Sequence, residues 1–362
     1  MGTLVFIIVL SVLVIVHEYG HFVVAKLIGV RVERFSIGFG PKLFGKVFGD
    51  TEFVICAIPL GGYVKMAGDE RGECKGAENE FYSKPVGLRS LVVLAGPVVN
   101  YIFAFLCFCI VFVAGYPARS SEVGGLIEDR PAIQSGLAIG DKILSIDSKG
   151  IESWEDVQKY VSESKGKTLD LGVSREGVDK SFELTPVLIT SENIFGQRID
   201  LFIAGIEPTD NIVLLRYGAL ESVVKAFEKL KTITWTTYKA LYLMVTGAMS
   251  AKDGVTGPIG IFIIIKKAAS MGFSYVMYIM AIISASLAIF NLLPLPILDG
   301  GHLLFFGIEK IKGKPVSRKT DEIVHRVGFG FLICLTVVVF CMDLIRYGIF
   351  DKIVQFGRHL GF

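Results

Sequence analysis

The sequence predicts a polytopic α-helical membrane protein with four transmembrane helices. A membrane-associated β-hairpin loop joins the first two, and an extracytoplasmic α/β domain is inserted between the second and third. Three observations predict this. The 362 residues are 52% apolar and only 20% charged, with a mean hydropathy of +0.58, more apolar surface than a soluble domain of this size carries. The apolar residues collect in four runs long enough to cross a bilayer as helices. The polar middle of the chain instead breaks into short strand-like stretches between turn residues. A formal charge of +2, from 37 basic and 35 acidic residues, is too small to indicate a nucleic-acid partner.

The first span covers Thr3 to Ile28. It has no charge before Glu18, no basic leader and no small-residue cleavage site, so it reads as a retained span rather than a removable signal peptide. Phe6 stands where a myristoylation signal needs Ser or Thr. From Val30 to Met66, apolar stretches alternate with Gly38-Phe39-Gly40-Pro41 and Pro59-Leu60-Gly61-Gly62, the pattern of short strands and tight turns. Such backbone sits at membrane depth only when covered by protein or facing a wet cavity; a solvated hairpin is the alternative. The second span is Leu91 to Ala114.

Beyond it, Val123–Ile127, Lys142–Ile146, Thr168–Ser174 and Ser181–Leu184 read as strands. Trp154–Ser162 reads as a helix with Ser153 as its N-cap and Asp156 at the third helical position. Leu214 to Met249 is helix-like and mixes lysines with aromatic residues, a composition suited to a membrane surface or to the edge of a soluble domain. The third span runs from about Tyr275 to Leu295, and Asn291, Pro294 and Pro296 break its backbone near the end. The fourth is Val327 to Ile345. The expected segments are therefore 1–115 (two spans and the β-loop), 116–208 (the inserted domain), 209–271 (the surface helix) and 272–362 (the last two spans).

Ten Lys or Arg residues lie from the end of span one to the start of span two, Lys26 to Arg89, and six lie between spans three and four, from Lys310 to Arg326. The positive-inside rule places both loops in the cytoplasm and the N-terminus and inserted domain outside. Residues 116–208 hold 16 acidic and 10 basic side chains, a net of 10 − 16 = −6. None of the six cysteines forms a C-x-x-C pair and none falls between Gly115 and Met271, so they read as packing residues rather than a disulfide framework.

The chemistry concentrates in His17-Glu18-Tyr19-Gly20-His21, inside the first span. On a helix two histidines four apart share a face and can bind one Zn²⁺, and Glu18 stands where it can take a proton from a water on the metal. Ionisable groups in a membrane helix are costly and mark function by default. The third ligand comes from elsewhere: a metzincin extension needs Gly at 24 and His at 27, and the chain has Val24 and Leu27. Asp299, beside the broken end of span three, is the candidate, since an ionised carboxylate there needs a partner. His302 competes for the role; the other reading makes it an orienting or helix-capping group. About 15 residues precede His17 in its span, which puts the metal roughly 22 Å below the outer face of a ~30 Å core.

With these residues in view, the chain resembles the bacterial site-2 intramembrane zinc metalloproteases, of the regulator of sigma-E protease type. The resemblance rests on the His17–His21 motif and Leu298-Asp299-Gly300. Supporting runs are Gly38-Phe39-Gly40-Pro41, Ala95-Gly96-Pro97-Val98-Val99-Asn100, Gly257-Pro258-Ile259-Gly260-Ile261 and the Asn291, Pro294, Pro296 set. It implies one Zn²⁺ held by His17, His21 and Asp299, with Glu18 as general base. It also implies a membrane-embedded β-hairpin in which Gly38, Phe39 and Gly40 pair with an unwound substrate, while Asn291 and Pro294 contact it beside the metal.

The inserted domain resembles a PDZ domain through Gly124-Gly125-Leu126-Ile127 and Pro131–Leu137 followed by Gly140-Asp141-Lys142-Ile143, with Ser135 where relatives carry Ala. Gly125, Leu126 and Ile127 are then the candidate peptide-binding residues. The resembled protease carries two such domains in tandem, and this chain has room for one. Binding of C-termini by strand addition and steric exclusion of bulky substrates both remain open for it.

The expected activity is hydrolysis of peptide bonds in transmembrane segments of single-span proteins in the inner membrane. The resemblance implies substrates already shortened by another protease, such as anti-sigma factors or remnant signal peptides. A membrane metal transporter or a PDZ-bearing scaffold is the rival reading. Neither needs a general base beside the ligands, and Glu18 is present.

Overall fold

The computed structural model describes residues 2–192, 198–250 and 255–348; positions 349–362 of the last expected segment lie outside the described residues. The chain divides into two compact units. One is built from Met1–Cys109, Val224–Tyr238 and Val255–Phe362, the other from Ile110–Val223 and Lys239–Gly254, counting their described residues only.

In the first unit, helix α1 (Gly2–Leu27) is followed by β1 (Val32–Phe48) and β2 (Thr51–Met66). Helix α2 (Val86–Ala114) runs on into the second unit. The loop between α1 and α2 folds more tightly than a single hairpin. Phe35, Ser36 and Ile37 pair with Val64, Tyr63 and Gly62 and also with Phe53, Val54 and Ile55, while Phe44–Phe48 pair with Ile55–Thr51. Gly38 and Gly40 make the bends, with φ of +90° and +85°, values that glycine adopts without steric cost. Leu43, Phe44, Val47 and Phe48 are all exposed.

The second unit begins with β3 (Tyr116–Arg119), β4 (Val123–Leu126) and the short α3 (Pro131–Gln134). A four-stranded antiparallel sheet then forms in the order β6-β5-β7-β8, from β5 (Lys142–Ile146), β6 (Lys149–Gly150), β7 (Leu169–Arg175) and β8 (Val178–Leu184). Helix α4 (Trp154–Glu163) starts on the expected cap: Ser153 accepts from the Asp156 N–H, and the Asp156 carboxylate accepts from the Ser153 N–H. The alternation of β7 buries Leu169, Leu171 and Val173 against Trp154, Val157 and Val161 of α4, which forms the core of this unit. Asp141 is buried, with both oxygens on Arg175, at 2.7 and 2.8 Å.

Four further strands complete the unit. They are β9 (Val187–Glu192), which pairs with β10 (Arg198–Ile203), β11 (Ile206–Pro208), which pairs with β4, and β12 (Ile212–Leu215), which pairs with β3. Leu214 and Leu215 therefore belong to a strand, not to the expected helix. Residues of that length take their conformation from the strand they meet rather than from their own pattern.

Helix α5 (Ala219–Val245) follows, and Thr234 on it bonds the Tyr101 hydroxyl at 2.7 Å. Then come α6 (Pro258–Met271), α7 (Phe273–Asn291), α8 (Asp299–Lys312) and α9 (Arg318–Arg346). Among the described residues, four stretches are long and apolar enough to cross a membrane: α1, α2, α7 and the Arg326–Arg346 part of α9. The third span ends at Asn291, four residues before the expected Leu295, and Leu292–Leu298 turn the chain into α8. Ile297 takes a φ of +83° in that turn, a strained conformation for a β-branched residue.

Two contacts tie α8 to the first half of the unit. Glu309 receives Arg89 at 2.6 Å and Arg71 at 3.3 Å, and Phe306 packs into the cluster of Ala25, Val30, Val32, Phe81, Val92 and Val93.

Candidate metal centre

His17 and His21 leave α1 on one face, one turn apart. Their rings meet edge to face with centroids 4.8 Å apart, and their Nε2 atoms stand 3.2 Å apart. Asp299, the first residue of α8, brings a carboxylate to the same point. Its Oδ2 lies 3.3 Å from His17 Nε2 and its Oδ1 3.6 Å from His21 Nε2. Among the described residues, these three are the group whose donor atoms come close enough to share an ion.

Glycines make the convergence possible. A Cβ on Gly20 would lie 2.5 Å from the Ala95 carbonyl oxygen, so α1 and α2 touch backbone to backbone there. A Cβ on Gly96 would overlap His21 Nε2 and come within 2.8 Å of His17 Cε1. Helix α2 thus supplies a bare floor under both imidazoles. On the other side, Cβ atoms on Gly300 and Gly301 would overlap the carbonyls of Leu292, Leu293 and Leu295, so the turn after Asn291 packs directly on the start of α8 and sets Asp299.

The donors fit zinc. Ligands at about 2.1 Å from a tetrahedral ion stand about 3.4 Å from one another, close to the separations of 3.2, 3.3 and 3.6 Å. Asp299 Oδ2 is buried and has no hydrogen-bond partner among the described residues, as befits an oxygen whose partner is a cation. Two imidazoles and one carboxylate are also a donor set of catalytic zinc. His21 Nδ1 donates to the Val92 carbonyl at 2.9 Å, which leaves its Nε2 lone pair for a metal.

The remaining site residues fall as follows. Glu18 is half-buried beside the cluster, and a Cβ on Gly62 would sit 3.4 Å from its Cγ. Asn291, at the end of α7, places Nδ2 3.4 Å from His17 Nε2, on the metal side of that ring. Pro294 is exposed in the following turn. Gly38 closes on the Ile58 carbonyl, and the Phe39 ring stacks on Tyr63 with centroids 6.1 Å apart. His302, one turn into α8, is not part of the metal-binding group. In the second unit, Gly125 and Leu126 pair with Glu207 and Ile206, and the Ile127 N–H bonds the Gly205 carbonyl at 2.9 Å, so β11 occupies one edge of that strand.

Four site residues escape a reading of the sequence as candidates in their own right: Gly62, Val92, Gly96 and Asn100. Asn100 alone carries a chemical signal, an amide in the middle of an apolar span. It is fully buried, with Nδ2 3.3 Å from His17 Nδ1.

The sequence profile of peptidase family M50 matches residues 5–335. A protein of Mesorhizobium japonicum described as a zinc metalloprotease is 33% identical to this chain, covering 95% of it and 99% of its own length. One of Clostridium acetobutylicum with the same description is 36% identical, over 92% of this chain and 95% of its own. The zinc metalloprotease RasP of Geobacillus kaustophilus is 30% identical, over 94% and 97%. Among solved structures, the PDZ domain of the SdrC-like protein of Listeria innocua covers 25% of this chain at 22% identity, with a TM-score of 0.21.

Proposed function

The chain belongs to peptidase family M50, the site-2 zinc metalloproteases, and on that footing we propose that it cleaves transmembrane segments of single-span membrane proteins. The observation that carries this is the convergence of His17, His21 and Asp299 from apolar helices, with Glu18 beside them.

When bound by these three residues, zinc supplies Lewis acidity toward a scissile carbonyl and acidifies water enough to attack it near neutral pH. Glu18 takes the proton of the attacking water and passes it to the departing amide nitrogen. Asn291 offers an N–H donor on the metal side of His17 to a substrate carbonyl, and Pro294 lines the approach.

A transmembrane substrate hides its carbonyls in its own helix and must be drawn out before it can be cut. The loop around Gly38, Phe39 and Gly40 supports the sheet that does so. Among the described residues, 62–66 pair on one side only, with β1, and Gly62 closes on Glu18, so an extended segment added to that edge runs past the base. The substrates are proteins shortened beforehand by another protease, such as anti-sigma factors or remnant signal peptides, in regulated intramembrane proteolysis in the inner membrane. The N-terminus and the PDZ-type domain of residues 116–208 lie outside the cell membrane. That domain either binds new C-termini or keeps out substrates with bulky outer domains.

The test is cleavage of a tagged single-span substrate by the purified protein in detergent, with bound metal counted alongside. Wild type is expected to cleave and to hold zinc. Glu18→Gln keeps the zinc and loses cleavage, and Asp299→Ala loses both. A wild-type protein that binds zinc yet leaves a set of such substrates intact would overturn the protease reading.

A further inference from the structure

The metal centre needs both imidazoles presented through Nε2, and the structure fixes only one of them by an unambiguous partner. His21 Nδ1 faces the Val92 carbonyl, which can only accept, so that ring carries its proton on Nδ1. His17 Nδ1 faces the side chain of Asn100, 3.3 Å away. A primary amide can serve either need, because rotation about its last bond exchanges a donor for an acceptor in the same volume.

With Nδ2 toward the ring, Asn100 would donate to His17 Nδ1. The proton of His17 would then sit on Nε2, and that nitrogen would have no lone pair for a metal. Asn100 Oδ1 would at the same time be buried with no hydrogen-bond partner, a costly arrangement for an amide oxygen. Turning the amide over lets Oδ1 accept from His17 Nδ1–H and leaves Nε2 free, with the amide N–H₂ in the place that Oδ1 held.

Asn100 is also held where it must act. It is completely buried, and its backbone carbonyl accepts from the buried Ser284 hydroxyl of α7 at 2.8 Å. One helix, α2, therefore carries the outer partners of both histidines, eight residues apart, with Gly96 between them as the floor.

We infer that Asn100 is a positioning residue for the metal, its amide oxygen locking His17 in the tautomer and orientation that present Nε2. The inference rests on the metal centre described above and concerns affinity for the ion rather than the chemical step. Outer partners of metal-binding histidines are typically worth 10- to 100-fold in metal affinity.

The experiment measures zinc affinity of the full chain in detergent by competition with a chromophoric chelator, together with the visible absorption of the cobalt-substituted protein and the melting temperature of the metal-free form. Asn100→Leu keeps the volume and removes the acceptor. It is expected to weaken zinc binding by about 10- to 100-fold and to alter the cobalt bands. Asn100→Asp can only accept toward Nδ1–H and is expected to bind within a few-fold of wild type. Wild-type affinity in Asn100→Leu would overturn the inference. So would loss of zinc in Asn100→Asp with an unchanged metal-free melting temperature, and this variant decides the matter alone if Asn100→Leu fails to fold. Failure of the wild-type protein to bind zinc would instead remove the metal centre itself.

Discussion

At the scale of single residues, the centre depends as much on what is missing as on its ligands. Gly96 offers the sharpest case, because a methyl group there has no room that is not already filled by the two imidazoles. Neither ring can retreat: His21 is pinned to the Val92 carbonyl, and the α1 backbone is pressed against Ala95 at Gly20. Gly96→Ala is therefore expected to cost at least tenfold in zinc affinity, the scale of a lost outer-shell partner, and to reduce proteolysis in step. Equilibrium dialysis against zinc checks it. Gly87→Ala is the control on the same helix, since a Cβ there meets nothing within 4 Å, and it should bind zinc as wild type does. Equal zinc affinity in the two variants would show that α1 and α2 are not in contact as described.

At the scale of elements, one charge cluster in each unit holds pieces in place and should respond to mutation and pH. In the second unit, the Arg175 guanidinium beside Asp141 outweighs burial and holds that carboxyl below the ordinary range. A depressed carboxyl pKa adds stability above the unfolded value, about 3.9, and loses it as the pH falls through the folded value. The unit should therefore soften in acid below about pH 4. Asp141→Asn is expected to lose roughly 2 kcal/mol at neutral pH, as for a charged hydrogen bond, and to show a flatter acid response. Fluorescence of Trp154 in a Trp235→Phe background follows the unfolding, and an unaltered acid slope in Asp141→Asn would refute the assignment.

In the first unit, burial pushes Glu309 up, but Arg89 and Arg71 prevail and keep its carboxyl below the usual range. Glu309→Gln leaves two guanidiniums facing a neutral group on α8. It is expected to destabilise by about 3 kcal/mol or more, read as an earlier detergent melt, and Arg89→Lys should recover only part of the bidentate contact.

How much of this was legible beforehand follows from range. Ser153 and Asp156 announce α4 because a cap and its box partner are three residues apart. His17, Glu18 and His21 announce the site because four residues make one turn. Asp299 could be named because a carboxylate beside a broken apolar run needs a partner. Gly96 and Val92 could not, and Asn100 shows only as an amide in an apolar span, since their roles exist only where α2 meets a helix some 71 to 83 residues away in the chain. The pairings of β3 with β12 and β4 with β11 failed to announce themselves for the same reason.

At the scale of the whole molecule, three helices report the depth of the metal centre independently. His17 is the sixteenth residue of α1, roughly 22 Å from the face at which that helix enters. Val92, which orients His21, is the seventh residue of α2 and so roughly 9 Å from the opposite face, where α2 begins. Asp299 follows the end of α7 at Asn291, and α7 runs in the same direction as α1 if spans alternate. All three place the site in the third of a ~30 Å core farthest from the chain's N-terminus. This does not depend on which face is cytoplasmic. The ten basic residues from Lys26 to Arg89 predict that this face is the cytoplasmic one. A single-span substrate should accordingly be cut within the cytoplasmic third of its membrane segment. Mass spectrometry of the two fragments locates the bond, and alkaline phosphatase fused within 116–208 or at 313–317 reports the side independently. Activity of the first fusion alone, with a cut in the cytoplasmic third, is the expected result. A cut near the membrane centre would contradict the helix-by-helix depth, whereas a correct depth with the second fusion active would invert the orientation and leave the chemistry intact.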